Sequence, residues 1–435
     1  MRHSSAPPHA PKTLVETRRH GPLQVDVHRL DNGLTLIHQP DFRAPVVSYQ
    51  TWFRVGSRHE QPGKTGIAHL FEHLMFKETR NCPEGEFDRR IEALGGRINA
   101  ATWLDWTYYY EDVPQDALDV VIELEADRME HMILGPEQLE AERLVVMNER
   151  KERVDNDPAG QLAETLWASA FTRHPYGQPT IGWMDDIAAL TLDDCLAFYR
   201  TWYAPNNATL VVAGAIDGPT LIERVTAAYG HLAPQPIPAV APVSEPRQTE
   251  TRRLERHLPL SADRLVMGYH APAATDPRAA ALEVLNEALF EGDSSRLQRA
   301  LVTDGELAAG FYAFVPAFRE PGLYEVSVDL RPGTPAEAAE EVVLDAFARV
   351  AADGLAPAEL EKARNRLETR FYRQLQTVQQ RAAGLGYWAI TADDCYELFV
   401  ATERLRAVTA DDVVRVARET LRPDNRTVVV GRPAE

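Results

Sequence analysis

"LTLDDCLAFYRTWYAPNNATLVV" begins at Leu190, and "VTADDVVRVARETLRPDNRTVVV" begins at Val408. Superposed at an offset of 218 residues (408 minus 190), they share Thr191 with Thr409, Asp194 with Asp412, Pro205 with Pro423, Asn207 with Asn425, Thr209 with Thr427, and Val211-Val212 with Val429-Val430. Both stretches carry the same physical instructions. A threonine suited to cap a helix is followed by an acidic first turn. A helix then runs until the proline stops it. A β-branched strand follows. Agreement of this density implies two copies of one unit, an internal duplication. Between the copies lies "APQPIPAVAPVSEPRQTET", Ala233 to Thr251, with five prolines and little periodicity. It reads as an extended linker. The expected division is a flexible arm over 1–20, a first domain over 21–232, the linker over 233–251 and a second domain over 252–435.

The first copy mixes strands and helices. "LQVDVHRLDNGLTLIHQP" has two alternating runs around Asp31-Asn32-Gly33, a hairpin signal. "APVVSYQTWFRVGS" reads as a strand and "GIAHLFEHLMF" as a helix. "GEFDRRIEALGG" is a second helix, ended by Gly95-Gly96. "RINAATWLDWTYYYEDVP" supplies two more strands, and "PQDALDVVIELEADRME" and "GPEQLEAERLVVMNERKERV" are long amphipathic helices. Strict strand–helix alternation is missing. The pattern therefore predicts an α+β fold of two tandem duplicated domains, each a mixed or antiparallel sheet packed with helices.

Bulk properties narrow the function. The 435 residues are 44% hydrophobic and 26% charged, with a net charge of −19. A nucleic-acid binder needs a basic face, so that class is disfavoured. No apolar run has the length to span a membrane. Cys82, Cys195 and Cys395 are scattered, so no disulfide framework is expected and a reducing compartment suits them. "MRHSSAPPHAPKTLVETRRHG" is polar and lacks the apolar core of a secretory signal. A cytoplasmic protein is expected, and a periplasmic one stays open.

The stretch "TGIAHLFEHLMFKET", Thr65 to Thr79, carries the chemistry. On a helix, residues four apart share a face, so His69 and His73 can hold one ion. Glu72 flanks the same face, where a carboxylate reaches a water on that ion. H-x-x-E-H is a zinc-peptidase signature, though a weak pattern by itself. Leu70, Phe71, Leu74, Met75 and Phe76 set it beside a core. Catalytic zinc takes three protein ligands and leaves one position open, so a third ligand is required.

"GIAHLFEHLMFKET" followed by "ERLVVMNERKERVDNDP" resembles the insulinase–pitrilysin family of inverted-motif zinc peptidases, in its mitochondrial-processing-peptidase-like bacterial branch. "GGRINAATWLDWTYYYEDVP", "HPYGQPTIGWMDDIAALTLDDCLAFYRTWYAPNNATLVVAGAID" and "GDSSRLQRAL" extend the likeness over nearly the whole chain past the arm. The resemblance implies the LuxS/MPP-like metallohydrolase fold and one zinc ion (Zn2+) per chain, held by His69, His73 and Glu149. It implies Glu72 as general base, Glu142 as the acid supporting the site, and Asn99 and Ala100 as the edge that pairs with substrate backbone. Glu142 and Glu149, seven residues apart, face the same way on a helix. The implied activity is hydrolysis of unfolded peptides in an enclosed chamber.

The chain departs from the family in its second half. There, or on a partner, the family carries an arginine and a tyrosine spaced R-x6-Y after an "SSRL" helix, to steady substrate and oxyanion. Here "SSRLQRALVTDGELAAGFYAF" puts Val302 and Ala309 at those positions, and Glu287 and Glu291 stand where the histidines would be. The implied assembly is a heterodimer with a homologous chain that carries the Arg/Tyr pair, closing like a clamshell; a homodimer is the alternative. The competing function is a non-catalytic core subunit of the same fold. Such relatives have damaged metal motifs, whereas His69, Glu72, His73 and Glu149 are all present here.

Overall fold

The computed structural model describes residues 14–434. The first sheet comprises β1 (Leu14–His20), β2 (Leu23–Arg29), β3 (Thr35–Pro40), β4 (Val46–Phe53), β5 (Arg97–Thr102), β6 (Thr107–Pro114) and β7 (Ala208–Gly214), in the order β1-β2-β3-β7-β4-β6-β5. The second comprises β8 (Arg252–Leu258), β9 (Arg264–His270), β10 (Ala308–Phe314), β11 (Leu323–Leu330) and β12 (Arg426–Pro433), in the order β10-β11-β9-β12-β8. Without β1 and β2, the two sheets have one topology. β3·β7 and β8·β12 are the parallel pairs, and every other pair is antiparallel. The fold is α+β, with each mixed sheet covered by helices.

The repeated stretch folds the same way twice. Thr191 and Thr409 each cap a helix, reciprocated by Asp194 and Asp412. Asn207 donates to the Trp202 carbonyl at 2.8 Å, and Asn425 to the Thr420 carbonyl at 2.8 Å. Each asparagine thus satisfies a carbonyl that the helix end leaves free. The Asp31-Asn32-Gly33 hairpin joins β2 to β3, with Gly33 at φ 88°.

One expectation is corrected. Residues 14–20 are not an arm: they form β1, paired antiparallel with β2. The Arg18 N–H donates to the Tyr396 hydroxyl at 2.9 Å, and the His20 ring stacks on Phe399 at 4.5 Å. Partners so distant in sequence leave no local signal, so "LVETRRH" reads as polar coil. Residues 1–13 of the expected arm lie outside the described residues. The proline-rich linker has no helix or strand, but it is fixed rather than free. Glu245 accepts the N–H groups of Thr172, Arg173 and His174 at 2.7–2.9 Å and the Thr172 hydroxyl at 2.7 Å. Among the described residues, no helix is long and apolar enough to cross a membrane.

The two units exchange helices. Helix Pro158–Ala170, from the first unit, lies on β9 and β12 of the second. Helix Val378–Thr391, from the second, lies on β4 and β7 of the first. Leu162, Leu166 and Ala170 pack with Val266, Leu323 and Val429. Ala382, Leu385 and Ile390 pack with Ile37, Trp52, Val211 and Ala213. Glycine sets the distance of approach. A Cβ on Gly386 would sit 2.2 Å from the Trp52 indole nitrogen, and one on Gly431 would sit 2.7 Å from Leu162 Cδ1.

Two predictions follow from these contacts. Glycine to alanine inside a helix ordinarily gains about 1 kcal/mol. At Gly386 the clash with Trp52 costs about 1–3 kcal/mol and outweighs that gain. Gly386→Ala should therefore lower the thermal unfolding midpoint; a rise would show that the helix is not seated on β4. Burial opposes charge on Glu245, but the Thr172 hydroxyl and three N–H groups hold its pKa down at about 2. Its stabilisation is therefore complete above the ordinary carboxylate pKa and is lost as pH falls towards 2. Glu245→Gln should cost about 2 kcal/mol near neutral pH. The gap in unfolding midpoint between the two proteins should narrow by pH ~3; a gap that widens on acidification would contradict the assignment.

Candidate metal centre

Two helices supply the centre. Helix Ile67–Leu74 carries His69, Glu72 and His73. Helix Pro136–Arg150 carries Glu142 and Glu149 and runs on into a wider turn over Lys151–Asp155. The loop Ile181–Trp183 joins them. A Cβ on Gly182 would sit 2.5 Å from the Gly66 Cα, at the start of the first helix. The Gly182 carbonyl accepts from Arg150 Nη1 at 2.7 Å, at the end of the second. Thr65 donates to Asp186 at 2.6 Å and accepts the Trp183 N–H at 2.9 Å.

The fold brings His69, His73 and Glu149 together, with one candidate ligand atom from each lying within 4.8 Å of the others. Glu149 Oε2 is 3.4 Å from His73 Nε2 and 3.7 Å from His69 Nε2. Zinc binds nitrogen and oxygen near 2.0–2.2 Å, so ligand atoms on a tetrahedron around it stand roughly 3.4 Å apart. The observed separations suit that ion. Glu149 Oε2 is also buried with no hydrogen-bond partner among the described residues. A buried carboxylate oxygen facing two ring nitrogens calls for a cation. Glu149's other oxygen forms an ion pair with Arg153 Nη1 at 2.9 Å, which leaves Oε2 for the shared point.

The surrounding groups orient these ligands. Glu142 Oε2 faces His73 Nδ1 at 3.4 Å, and Glu142 Oε1 pairs with Lys77 at 2.5 Å. A carboxylate behind a ligating imidazole fixes its ring and tautomer. Burial opposes charge on His73, but Glu142 and Glu149 override it and hold its pKa up at about 9. Burial, reinforced by His73, pushes His69 down to about 4. Burial pushes the Glu72 carboxyl above the usual range, against a hydrogen bond from Thr102. Glu72 Oε2 is buried and lacks a partner among the described residues. It is thus a poorly satisfied acid on the helix face that bears the histidines.

Asn99 and Ala100 lie on β5, which pairs only with β6 and forms the open edge of the first sheet beside the histidine helix. The Ala100 N–H is bonded to the Asn99 side-chain oxygen at 2.8 Å. Val302 packs against the second core, and Ala309 is exposed on β10. Where the duplication would put His69, buried Glu287 binds Arg366 at 2.5 Å and Arg370 at 2.7 Å. The positive charge there belongs to the chain itself.

Sequence reasoning missed Lys77, Arg153, Thr102 and the loop at Gly182. Lys77 and Arg153 stand four residues after His73 and Glu149, a helical pairing signal available in the sequence. Thr102 and Gly182 are brought in by tertiary packing and leave no such trace.

Comparison with known proteins agrees with this geometry. Residues 36–183 match the family model "Insulinase (Peptidase family M16)", and residues 189–367 match "Peptidase M16 inactive domain". The chain is 31% identical to the zinc protease PqqE of Helicobacter pylori over 409 residues, 93% of this chain and 92% of that one. It is 24% identical to a probable mitochondrial-processing peptidase subunit beta of Arabidopsis thaliana, over 94% of this chain and 76% of the relative. The crystal structure of a protease from Helicobacter pylori superposes with a TM-score of 0.90 at 30% identity, over 94% of this chain and 99% of that one. The chain with two sheets of one topology and a histidine pair facing Glu149 therefore belongs to peptidase family M16, the insulinase family.

Proposed function

We propose that this chain is a zinc-dependent endopeptidase acting on unfolded peptides, with one ion held by His69, His73 and Glu149. The observation that carries the reading is the partnerless Glu149 Oε2, 3.4 and 3.7 Å from the two histidine nitrogens. His69, His73 and Glu149 would hold the zinc ion, which when bound would supply a water of pKa near 7 and a Lewis acid for the peptide carbonyl. The protein groups do the rest. Glu72 takes the proton from the attacking water and returns it to the leaving amine. Its raised pKa brings it nearer the operating pH, as a group that both takes and gives a proton requires. Glu142 holds the His73 ring, and Lys77 holds Glu142. The open edge of β5 receives the substrate as an added strand, with its exposed backbone groups giving affinity without sequence preference. For that pairing Asn99 must release the Ala100 N–H. The three cysteines are buried and free, which favours a reducing compartment, the cytoplasm.

A non-catalytic scaffold of the same fold would have no need of an intact ligand set. Two measurements separate the readings. The purified chain should hold close to one zinc ion, removable by a chelator with loss of activity. Glu72→Gln should keep that ion and lose about 10²–10⁴ in turnover; a variant that binds zinc and cleaves normally would overturn the base assignment.

The proposed heterodimer is supported by Val302 and Ala309, which offer no oxyanion donor. Loss of one such donor costs about 10²–10³ in turnover. The chain alone should therefore cleave unfolded peptides roughly 10²-fold or more slowly than when mixed with a homologous chain that carries the R-x6-Y pair and lacks H-x-x-E-H. Full activity of the chain by itself would remove the heterodimer and favour a homodimer that uses other groups.

A further inference from the structure

We infer that Glu60 is a positioning residue for the metal centre: its buried carboxylate grips the N-terminus of helix Ile67–Leu74 and sets where His69 and His73 stand relative to Glu149. The inference rests on the metal reading above and adds a residue to it.

The helix needs such a grip. It has eight residues, about two turns, and no side-chain cap of its own. It starts at Gly66, whose φ of 85° excludes an ordinary capping residue. Its first N–H groups have no carbonyl to bond within the helix. Glu60 supplies two of the missing acceptors. Its Oε2 accepts the Gly66 N–H at 2.9 Å and its Oε1 the Ala68 N–H at 2.9 Å. Ala68 is the residue immediately before His69. A carboxylate bonded at two points fixes the helix along its axis and in rotation, as a single hydroxyl cap cannot.

The grip is anchored to a different part of the molecule. Glu60 ends a short turn whose Ser57 and Arg58 N–H groups donate to the carbonyls of Trp103 and Leu104, at 3.1 and 3.0 Å. There is no slack, for a Cβ on Gly56 would sit 2.2 Å from the Trp103 oxygen. The Arg58 guanidinium reaches Asp105 at 3.1 Å and Glu320, in the second unit, at 2.7 Å. Glu60 therefore ties the histidine helix to the loop that closes β5 onto β6. Glu149 rides on a separate helix, so the meeting of the three ligands depends on ties of this kind.

Stability alone does not explain a carboxylate here. Glu60 is 8% exposed, and no lysine or arginine pairs with it among the described residues. Burying an uncompensated carboxylate is costly, and a neutral acceptor would cap the helix more cheaply. Burial pushes the Glu60 carboxyl up to about 8, against the Ala68 and Gly66 N–H groups that favour its charged form, so positive charge on the histidine helix, as a cation held there would supply, favours the carboxylate. The helix end adds a further positive field that a carboxylate offsets.

The test uses the full chain and two metals, zinc and cobalt(II). Glu60→Gln keeps the shape but turns one acceptor into a donor facing an N–H group. We expect zinc affinity, measured by competition with a chelating dye, to fall about 10–100-fold, the range for groups that orient ligands. The visible bands of the cobalt-loaded protein should shift, and kcat should fall with KM little changed. Glu60→Asp keeps the charge but withdraws it by one methylene, and should show a smaller loss of the same kind. It also serves as the reading if the glutamine variant does not fold. Wild-type zinc affinity and an unchanged cobalt spectrum in a folded variant would overturn the inference. A wild-type chain that binds neither metal would overturn the metal reading itself, and this inference with it, so the two failures are distinguishable.

Discussion

Each sheet of this molecule has one face that its own unit cannot cover. Helix Pro158–Ala170 covers it for the second sheet and helix Val378–Thr391 for the first, through apolar packing around Leu162, Val429, Trp52 and Leu385, with buried polar bonds such as Arg381 to Gln39 at its margin. Burial of such faces is the main favourable term in folding. The exchange therefore makes the two units mutually dependent, whatever the linker between them does. It also explains two glycines that helix or strand propensity would disfavour: Gly386 and Gly431 exist so that backbone and side chain can meet at the seam.

The candidate metal centre inherits its rigidity from this arrangement. Its candidate ligands come from a short helix and a longer one that share no backbone hydrogen bond with one another. What holds them in register is packing on the first sheet, the Gly66–Gly182 approach, and the carbonyl of Gly182 on Arg150. Arg58 carries the same framework across to Glu320 of the second unit. A ligand set built this way tolerates little movement, since metal sites require placement to about half an ångström.

The duplication has diverged in an instructive way. In the second unit the counterpart of the first histidine is Glu287, satisfied by Arg366 and Arg370, while Leu367 takes the place of Glu149. The same fold position thus holds a cation in both copies, supplied by the chain in one and by a bound ion in the proposed reading of the other.

Local physics in the sequence determined a good deal. Capping threonines, prolines and β-branched runs marked the duplication, and turn residues marked the β2–β3 hairpin, because these signals act within a few residues. The spacing of His69, Glu72 and His73 identified one face of one helix, for the same reason. Family likeness pointed to Glu149, which no spacing rule connects to His73. Other features were decided only in three dimensions: β1 as a strand closed by Tyr396 and Phe399, the pinned linker at Glu245, the exchanged helices, and Glu60 on the histidine helix. Each joins groups that do not neighbour one another along any single element. Such contacts are set by how whole faces bury apolar surface, and a chain read residue by residue holds no record of which distant face will arrive.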